Sequence, residues 1–149
     1  MRIFSLAFLS ALCLAAAPGP CDLVTKAEVQ AAAGAPVSDA TVNKINPRFC
    51  DYKLGATGSA VSVMLTDKSP ADSAARTVEA LKKSKINAEL VAGVGDGAYR
   101  SSPGYGMQQL GAFKGSKHVI VTALITGSPE ARSKAVTDAV MKQALAKVP

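Results

Sequence analysis

The chain has 149 residues, of which 48% are hydrophobic and 19% are charged, and its formal net charge is +6. This length suits one domain with a hydrophobic core, and this composition excludes an intrinsically disordered chain. A single histidine excludes a site built from several histidine ligands, and the absence of tryptophan excludes a tryptophan stacking platform.

The first segment, Met1–Ala17, has the pattern of a secretory signal peptide, with one basic residue, an apolar run and three alanines. The alternative is a transmembrane anchor, but Pro18 follows too early for a span, which needs about 20 apolar residues. Cys13 and Cys21 lack the small preceding residue that lipid attachment requires. We therefore predict a mature domain of residues 18–149 that is periplasmic or secreted and has no stable membrane span.

The cysteine count predicts a disulfide. Cys13 is removed with the predicted leader, so Cys21 and Cys50 remain as a pair in an oxidising compartment. The alternative is a redox or metal-binding pair, but the two cysteines are not in a Cys-x-x-Cys arrangement and no histidine is near either in sequence. A bridge between them would stabilise the fold by about 3–4 kcal/mol.

The charge balance suggests an anionic partner. Because only Arg2 is lost with the leader, 16 of the 17 basic residues remain against 11 acidic residues. This excess favours contact with an acidic partner protein, an anionic envelope component or membrane head groups. The sequence has no arginine-rich run and no base-stacking aromatic pattern, so we expect no nucleic-acid partner.

The first half of the mature chain predicts a helix, two strands and a second helix. Thr25–Glu28 is a capping box, and Gly34 ends the first helix after Ala33. Arg48–Leu54 and Ser59–Thr66 alternate in hydrophobicity and read as strands. Ser69-Pro70 predicts the start of a helix that runs to about Lys85. The strand residues expected in the core are Cys50, Tyr52, Leu54, Val61, Val63 and Leu65.

The second half predicts a hairpin and a closing helix. Met107–Lys114 and His118–Thr126 alternate, and Gly115-Ser116 suits a two-residue loop between them. Ser128-Pro129 then begins a helix over Glu130–Lys147. The predicted fold class is α+β, with a single antiparallel sheet of about five strands and helices packed on one face. The predicted order is α-β-β-α-β-β-β-α.

The segment Gly93–Tyr99 has glycines spaced as in a phosphate-binding loop. Such loops open a helix, whereas the residues that follow here cannot. We interpret the segment as an irregular turn that feeds an edge strand, with Asp96 capping free backbone amides.

No catalytic grouping is evident. A Gly-x-Ser-x-Gly elbow is absent, and His118 is expected at a strand edge rather than as a general base. Asp51, Asp67 and Asp96 are expected in turns or on exposed strand faces, with nothing that pairs two of them. We predict a protein that is not an enzyme and has no metal or cofactor.

The best candidate for a binding site is the segment from Tyr99 to Met107, which we expect to be an exposed, irregular loop. Tyr99, Arg100, Tyr105 and Met107 are residue types that contribute contact energy at interfaces. The alternative is an ordinary connection with partly buried tyrosines. In the binding interpretation, Arg100 and Tyr105 are dispensable for folding.

Several short motifs resemble a family of small exported bacterial domains of unknown function, many of them lipoproteins. They are Pro20–Val29 with Cys21, the Cys50-x-Tyr52 pair, Gly-Val-Gly-Asp-x-Ala-Tyr at 93–99 and Phe113-Lys114-Gly115. The resemblance implies an exported α+β domain with a Cys21–Cys50 bridge, and it carries no catalytic residues. This sequence departs from the family in lacking a good lipid-attachment site.

The expected function is that of an exported, non-catalytic module that binds a partner protein or a cell-envelope component. The alternative is a periplasmic carrier with a small-ligand pocket between sheet and helices. An enclosed apolar pocket would favour the carrier, and a filled core would favour partner binding.

Overall fold

The computed structural model describes residues 17–55 and 58–149. The predicted leader lies outside this part of the chain except for Ala17. A short 3-10 turn, Pro20–Asp22, precedes the first helix. The helices are α1 Lys26–Ala33, α2 Ala74–Lys83 and α3 Glu130–Lys147. The strands are β1 Thr41–Val42, β2 Phe49–Leu54, β3 Ser59–Asp67, β4 Asn87–Val91, β5 Gly97–Gly104, β6 Met107–Lys114 and β7 Lys117–Leu124.

All neighbouring strands run antiparallel in one sheet, with the order β1-β2-β3-β7-β6-β5-β4. The predicted α+β class and single antiparallel sheet are confirmed. The predicted strand number and element order are wrong, because the described chain holds seven strands in the order α-β-β-β-α-β-β-β-β-α. The prediction lacks β1, which has two residues, and it places only one strand between α2 and Met107, where β4 and β5 both lie. These two strands mix apolar with polar residues.

The prediction of an irregular segment from 93 to 107 is wrong over Gly97–Gly104, which is β5, whereas residues 93–96 form the predicted turn. Pairing with β6 shifts register between Ser101 and Gly104, and this irregularity admits Pro103, which has no N–H to donate. Tyr105 and Gly106 then form a two-residue turn in which both residues have positive φ. The sequence pattern did not predict β5, because the glycines, serines and proline of this strand are typical of loops.

The sequence signals for helix starts and ends match the structure for α1 and α3 but not for the start of α2. The Thr25 capping box and the left-handed Gly34 bound α1 as predicted. The predicted start of α2 is wrong: Ser73 caps the helix, whereas Ser69 and Pro70 belong to a preceding turn closed by Asp72. The Glu130–Lys147 helix is confirmed, although Pro129 occupies its N-cap position and provides no side-chain cap.

The helices divide between the two faces of the sheet. Ala98 and Ala112 belong to the main core cluster beneath α1 and α3, whereas their neighbours Tyr99 and Phe113 belong to a smaller cluster beneath α2. Because successive side chains of a strand point to opposite faces, α2 lies on the other side of the sheet. The prediction that the helices pack on one face is therefore wrong. We call the side beneath α1 and α3 the covered face.

The covered face carries the main core. The predicted inward residues Cys50, Tyr52, Val61 and Val63 are fully buried. Cys21 and Cys50 form the predicted disulfide and tie the N-terminal turn to β2. The buried Tyr52 hydroxyl donates a hydrogen bond of 2.6 Å to the Val24 carbonyl. The bridge and this hydrogen bond fix the start of the domain against the sheet.

Candidate binding surface

The four residues predicted to bind a partner do not share one surface. Tyr99 and Arg100 are buried and, as neighbours in β5, point to opposite faces of the sheet. Tyr105 is 99% exposed at the tip of the β5–β6 turn. Met107 is half-buried at the start of β6. The expected exposure of Tyr99 and Arg100 is wrong, and the alternative of a partly buried connection describes Tyr99 better.

Tyr99 belongs to an aromatic cluster beneath the start of α2. Its hydroxyl lies 3.1 Å from Nε2 of His118, and the His118 ring stacks on Phe113 with centroids 4.2 Å apart. The Tyr99 ring covers Gly111 of β6, where an added Cβ would overlap the ring. Lys68 lies over the Phe113 ring, with its Nζ 5.5 Å from the ring centroid. The sole histidine therefore packs against Tyr99 and Phe113 on the side of the sheet that faces α2.

Burial sets the ionisation of this cluster. Loss of solvation raises the pKa of Tyr99 to about 12. Loss of solvation also lowers the pKa of His118 below its ordinary value, and the nearby Asp72 carboxylate partly offsets this effect. Both groups are therefore neutral near pH 7, so the cluster provides a packed, uncharged pair.

The other titratable candidates are dispersed. Asp67 pairs with Lys117 at 2.6 Å, and this hydrogen bond lowers the pKa of the Asp67 carboxyl. Asp96 accepts a hydrogen bond from the Gly115 N–H, so it caps an amide, as predicted. Asp51 is bound by Asn43 and Ser62. Within residues 17–55 and 58–149, no group of three histidine, cysteine, aspartate or glutamate side chains is arranged to hold a metal ion.

The second face of the sheet is only half covered. There α2 packs on β4 and β5 and reaches β6, while α1 and α3 lie on the covered face. Over β2, β3 and β7, none of the described helices covers this second side. We call this area the open sheet face. Its residues are Phe49, Asp51, Lys53, Ala60, Ser62, Met64, Ile120, Thr122 and Leu124, together with Gln109 of the adjoining strand β6.

An apolar row crosses the open sheet face. Phe49 is paired with Met64, and Met64 is paired with Ile120 in the strand register. Directly opposite residues bring their side chains into contact across strands. Each of the three side chains is half-buried. The row therefore presents a continuous apolar strip to the side of the sheet that lacks a described helix.

A polar row runs parallel to this strip, two residues further along each strand. Asp51 accepts a hydrogen bond of 2.6 Å from Ser62, and Gln109 donates one of 3.2 Å to Thr122. Gln109 in turn accepts from Ser101 at 3.2 Å. These bonds tie the polar side chains of the row to their neighbours on adjacent strands.

The loop between β1 and β2 forms a raised border beside the apolar strip. Lys44, Ile45 and Arg48 are exposed there, and Ile45 is 96% exposed. We call these three residues the basic lip. Asn43 anchors the lip, because its side-chain oxygen accepts from the Ile45 and Asn46 amides and its amide group donates to Asp51. Between Ile45 and the strands lies an open depression of about 530 Å³, and neither Lys44 nor Arg48 lines it.

The border of this surface is positively charged. Lys44, Arg48 and Lys53 form no ion pair within 4 Å of a described residue, although the charge of Arg48 contributes to the lowered pKa of the Asp67 carboxyl. The acidic residue within the surface, Asp51, is already bound by Asn43 and Ser62. An apolar strip bordered by exposed cations is complementary to an apolar segment that carries carboxylates.

Sequence reasoning missed this surface although a signal was present. Met64, Ile120 and Leu124 are apolar at positions that alternate with the buried valines of β3 and β7. A strand that is apolar on both sides is expected between two layers. Among the described residues no second layer covers β3 and β7, because α2 packs over β4 and β5 instead.

Comparison with protein-family models, with curated proteins and with solved structures found no match for this chain. In the described part of the chain, no helix has both the length and the hydropathy needed to cross a membrane.

Proposed function

We propose that this protein is an exported, non-catalytic binding module whose open sheet face docks an acidic partner protein. The observation that carries the proposal is the apolar row of Phe49, Met64 and Ile120 on a sheet face without a described helix. Contiguous apolar surface with a polar rim is typical of protein interaction sites.

The positive charge at the border of the open sheet face indicates which kind of partner docks there. Lys44, Arg48 and Lys53 favour a partner that presents apolar side chains surrounded by aspartate or glutamate. A second copy of this chain fits poorly, because a twofold contact brings the same patch together from both subunits and would oppose these cations to their own copies. The overall excess of positive charge acts in the same direction by steering acidic partners toward the protein.

The carrier alternative has less support. The space between the covered face and α1 and α3 is filled by buried side chains, among them Val121, Val136, Val140 and Met141. An apolar groove of about 450 Å³ lies beside α3, lined in part by Val94 and Leu145, but it is open to solvent. Carriers of apolar ligands usually enclose most of the ligand surface.

The test is affinity capture from the native envelope with residues 18–149 as bait. The wild-type bait is compared with Met64→Glu/Ile120→Glu, which puts charge into the apolar row, and with Lys44→Glu/Arg48→Glu, which reverses the lip. Tyr105→Glu is the matched control, because that side chain is exposed at a distant turn. Circular dichroism verifies that each bait is folded.

We expect one acidic protein to be retained by the wild-type and Tyr105→Glu baits, with recovery reduced about tenfold or more by either double variant. Raised salt should weaken capture, because it screens the rim charges. Equal recovery by all four baits would refute the open sheet face as the docking surface. Binding to phosphatidylglycerol vesicles without any retained protein would instead identify a lipid surface as the partner and overturn the proposal.

A further inference from the structure

A small polar pocket lies on the covered side of the sheet, away from the open sheet face. It is bounded by the edge strand β4, its neighbour β5, the start of β6 and the first turns of α3, and its volume is about 160 Å³. Ligand pockets for drug-sized molecules measure about 300–1,000 Å³, so this one suits only a small molecule. The side chains that line it and bear charge or amide groups are Asn87, Glu89, Arg100, Gln108, Glu130 and Lys134.

Two of these side chains are unusually buried for their polarity. Arg100 is 6% exposed and Gln108 is 2% exposed. Burying such groups is costly unless they are bound on all sides, and charged residues are rarely found at this depth. Their concentration beside a solvent-accessible pocket therefore points to a role beyond filling the core.

A hydrogen-bonded network holds these side chains in place. Arg100 donates to Thr137 at 3.0 Å and forms an ion pair with Asp138, both on α3. Gln108 donates to Glu130 at 2.6 Å, and Ser102 donates to the same carboxylate oxygen at 3.2 Å. The network fixes the guanidinium and one carboxylate in the pocket wall before any ligand enters.

Two further charges in the wall are not part of this network. Glu89 of β4 and Lys134 of α3 form no ion pair with a described residue. Glu89 is the strand partner of Arg100, and Lys134 lies one helical turn from Glu130. The pocket therefore offers two cationic and two anionic groups, and one of each sign lacks a partner.

We propose that this pocket binds a small zwitterion, a free amino acid or a molecule of like charge and size. Its carboxylate would bind Lys134 beside the Arg100 guanidinium, and its ammonium group would bind Glu89 and the remaining oxygen of Glu130. Charge-assisted hydrogen bonds of this kind are stronger than neutral ones. The proposal is independent of partner docking, since no residue of the open sheet face takes part.

The test is titration of ¹⁵N-labelled residues 18–149 with L-alanine, L-serine and L-glutamine, followed by amide and side-chain NMR shifts. Propionate and ethylamine are matched controls that each carry one of the two charges of alanine. The variants are Lys134→Met and Glu89→Gln, whose side chains are exposed and therefore replaceable without unfolding. Lys142→Met serves as the control variant, because it lies two turns further along α3 and outside the pocket.

We expect at least one amino acid to give saturable shifts at the Gln108 side-chain amide and at Ser102, with dissociation constants raised about tenfold by either pocket variant. Lys142→Met should bind as the wild type does. Absence of saturable shifts with all three amino acids at millimolar concentration would overturn the proposal. So would equal affinity for propionate or ethylamine, because the pocket would then not distinguish a zwitterion from a single charge.

Discussion

The two faces of the sheet differ in what packs on them, although the same strands build both. On the covered face, Val63 and Val121 are fully buried beneath helices, whereas Met64 and Ile120 are half-buried on the open sheet face. These residues alternate along β3 and β7, so a single strand provides both sides. One packed face therefore supplies most of the stability, which leaves the other free to present an apolar strip.

The covered face also holds the disulfide, and its reduction should give the largest effect on stability. Cys21 and Cys50 are separated by 29 residues. Opening a loop of this length restores conformational freedom to the unfolded chain and should lower the free energy of unfolding by about 3–4 kcal/mol. Urea unfolding with and without reductant measures this. Thiols that react with an alkylating agent before reduction would contradict the bridge.

Neighbouring residues of β7 give the sharpest comparison of the two faces. Val121→Ala leaves a cavity in the filled core and should lower the free energy of unfolding by about 2–3 kcal/mol. Ile120→Ala removes a larger side chain but should cost only about 1 kcal/mol, because water can already reach it. Urea unfolding of both variants tests this order. A larger loss from Ile120→Ala would mean that the open sheet face is covered in the folded protein.

The aromatic cluster under α2 gives a third test. An added methyl group in Gly111→Ala would overlap the Tyr99 ring, so we expect a loss of about 1–3 kcal/mol from overpacking. In a Tyr99→Ala background the same substitution should be nearly neutral. Thermal unfolding of the four combinations gives the coupling between the two positions. Additive losses would show that the ring does not lie over the glycine.

The smallest expected effect is a pH dependence from His118. Burial lowers the pKa of His118 below its ordinary value of about 6.5, so the unfolded chain binds this proton more readily than the folded protein. Stability from this group is therefore complete above about pH 6.5 and is lost as the pH falls toward the lower folded pKa. Melting temperatures at about pH 7.5 and about pH 5 should differ less in His118→Gln than in the wild type.

This comparison cancels contributions from the carboxylates, which both proteins share. Hydrogen bonds from Lys147, Lys26 and Lys117 lower the pKa values of Glu28, Asp39 and Asp67, respectively. An identical pH dependence in wild type and variant would show that His118 is as solvated as in the unfolded chain.

Local sequence signals predicted the elements that have strong periodicity or caps. The Thr25–Glu28 capping box, the alternation around Cys50 and Tyr52, and the Gly115-Ser116 turn all correspond to observed elements. They were readable because each depends on residues within a few positions of one another. The disulfide was predictable because two cysteines follow the predicted leader.

The features that the sequence did not predict depend on long-range packing. Strand β5 is held by two neighbours and tolerates Pro103 at a bulge, which its own residues do not reveal. The face on which α2 packs depends on the path of the chain from β3 to the far edge strand β4. That path leaves the open sheet face without a described helix. The apolar character of residues such as Met64 could therefore be interpreted only once the positions of the helices were known.

Methyl NMR of the methionines tests the central claim most directly. Met64 and Met107 point to the second face of the sheet, whereas Met141 is buried beneath the covered face. With ¹³C-methyl methionine in residues 18–149 and the protein retained by capture as ligand, the Met64 signal should shift strongly and the Met141 signal should stay in place. A shifted Met141 signal with an unchanged Met64 signal would contradict docking on the open sheet face.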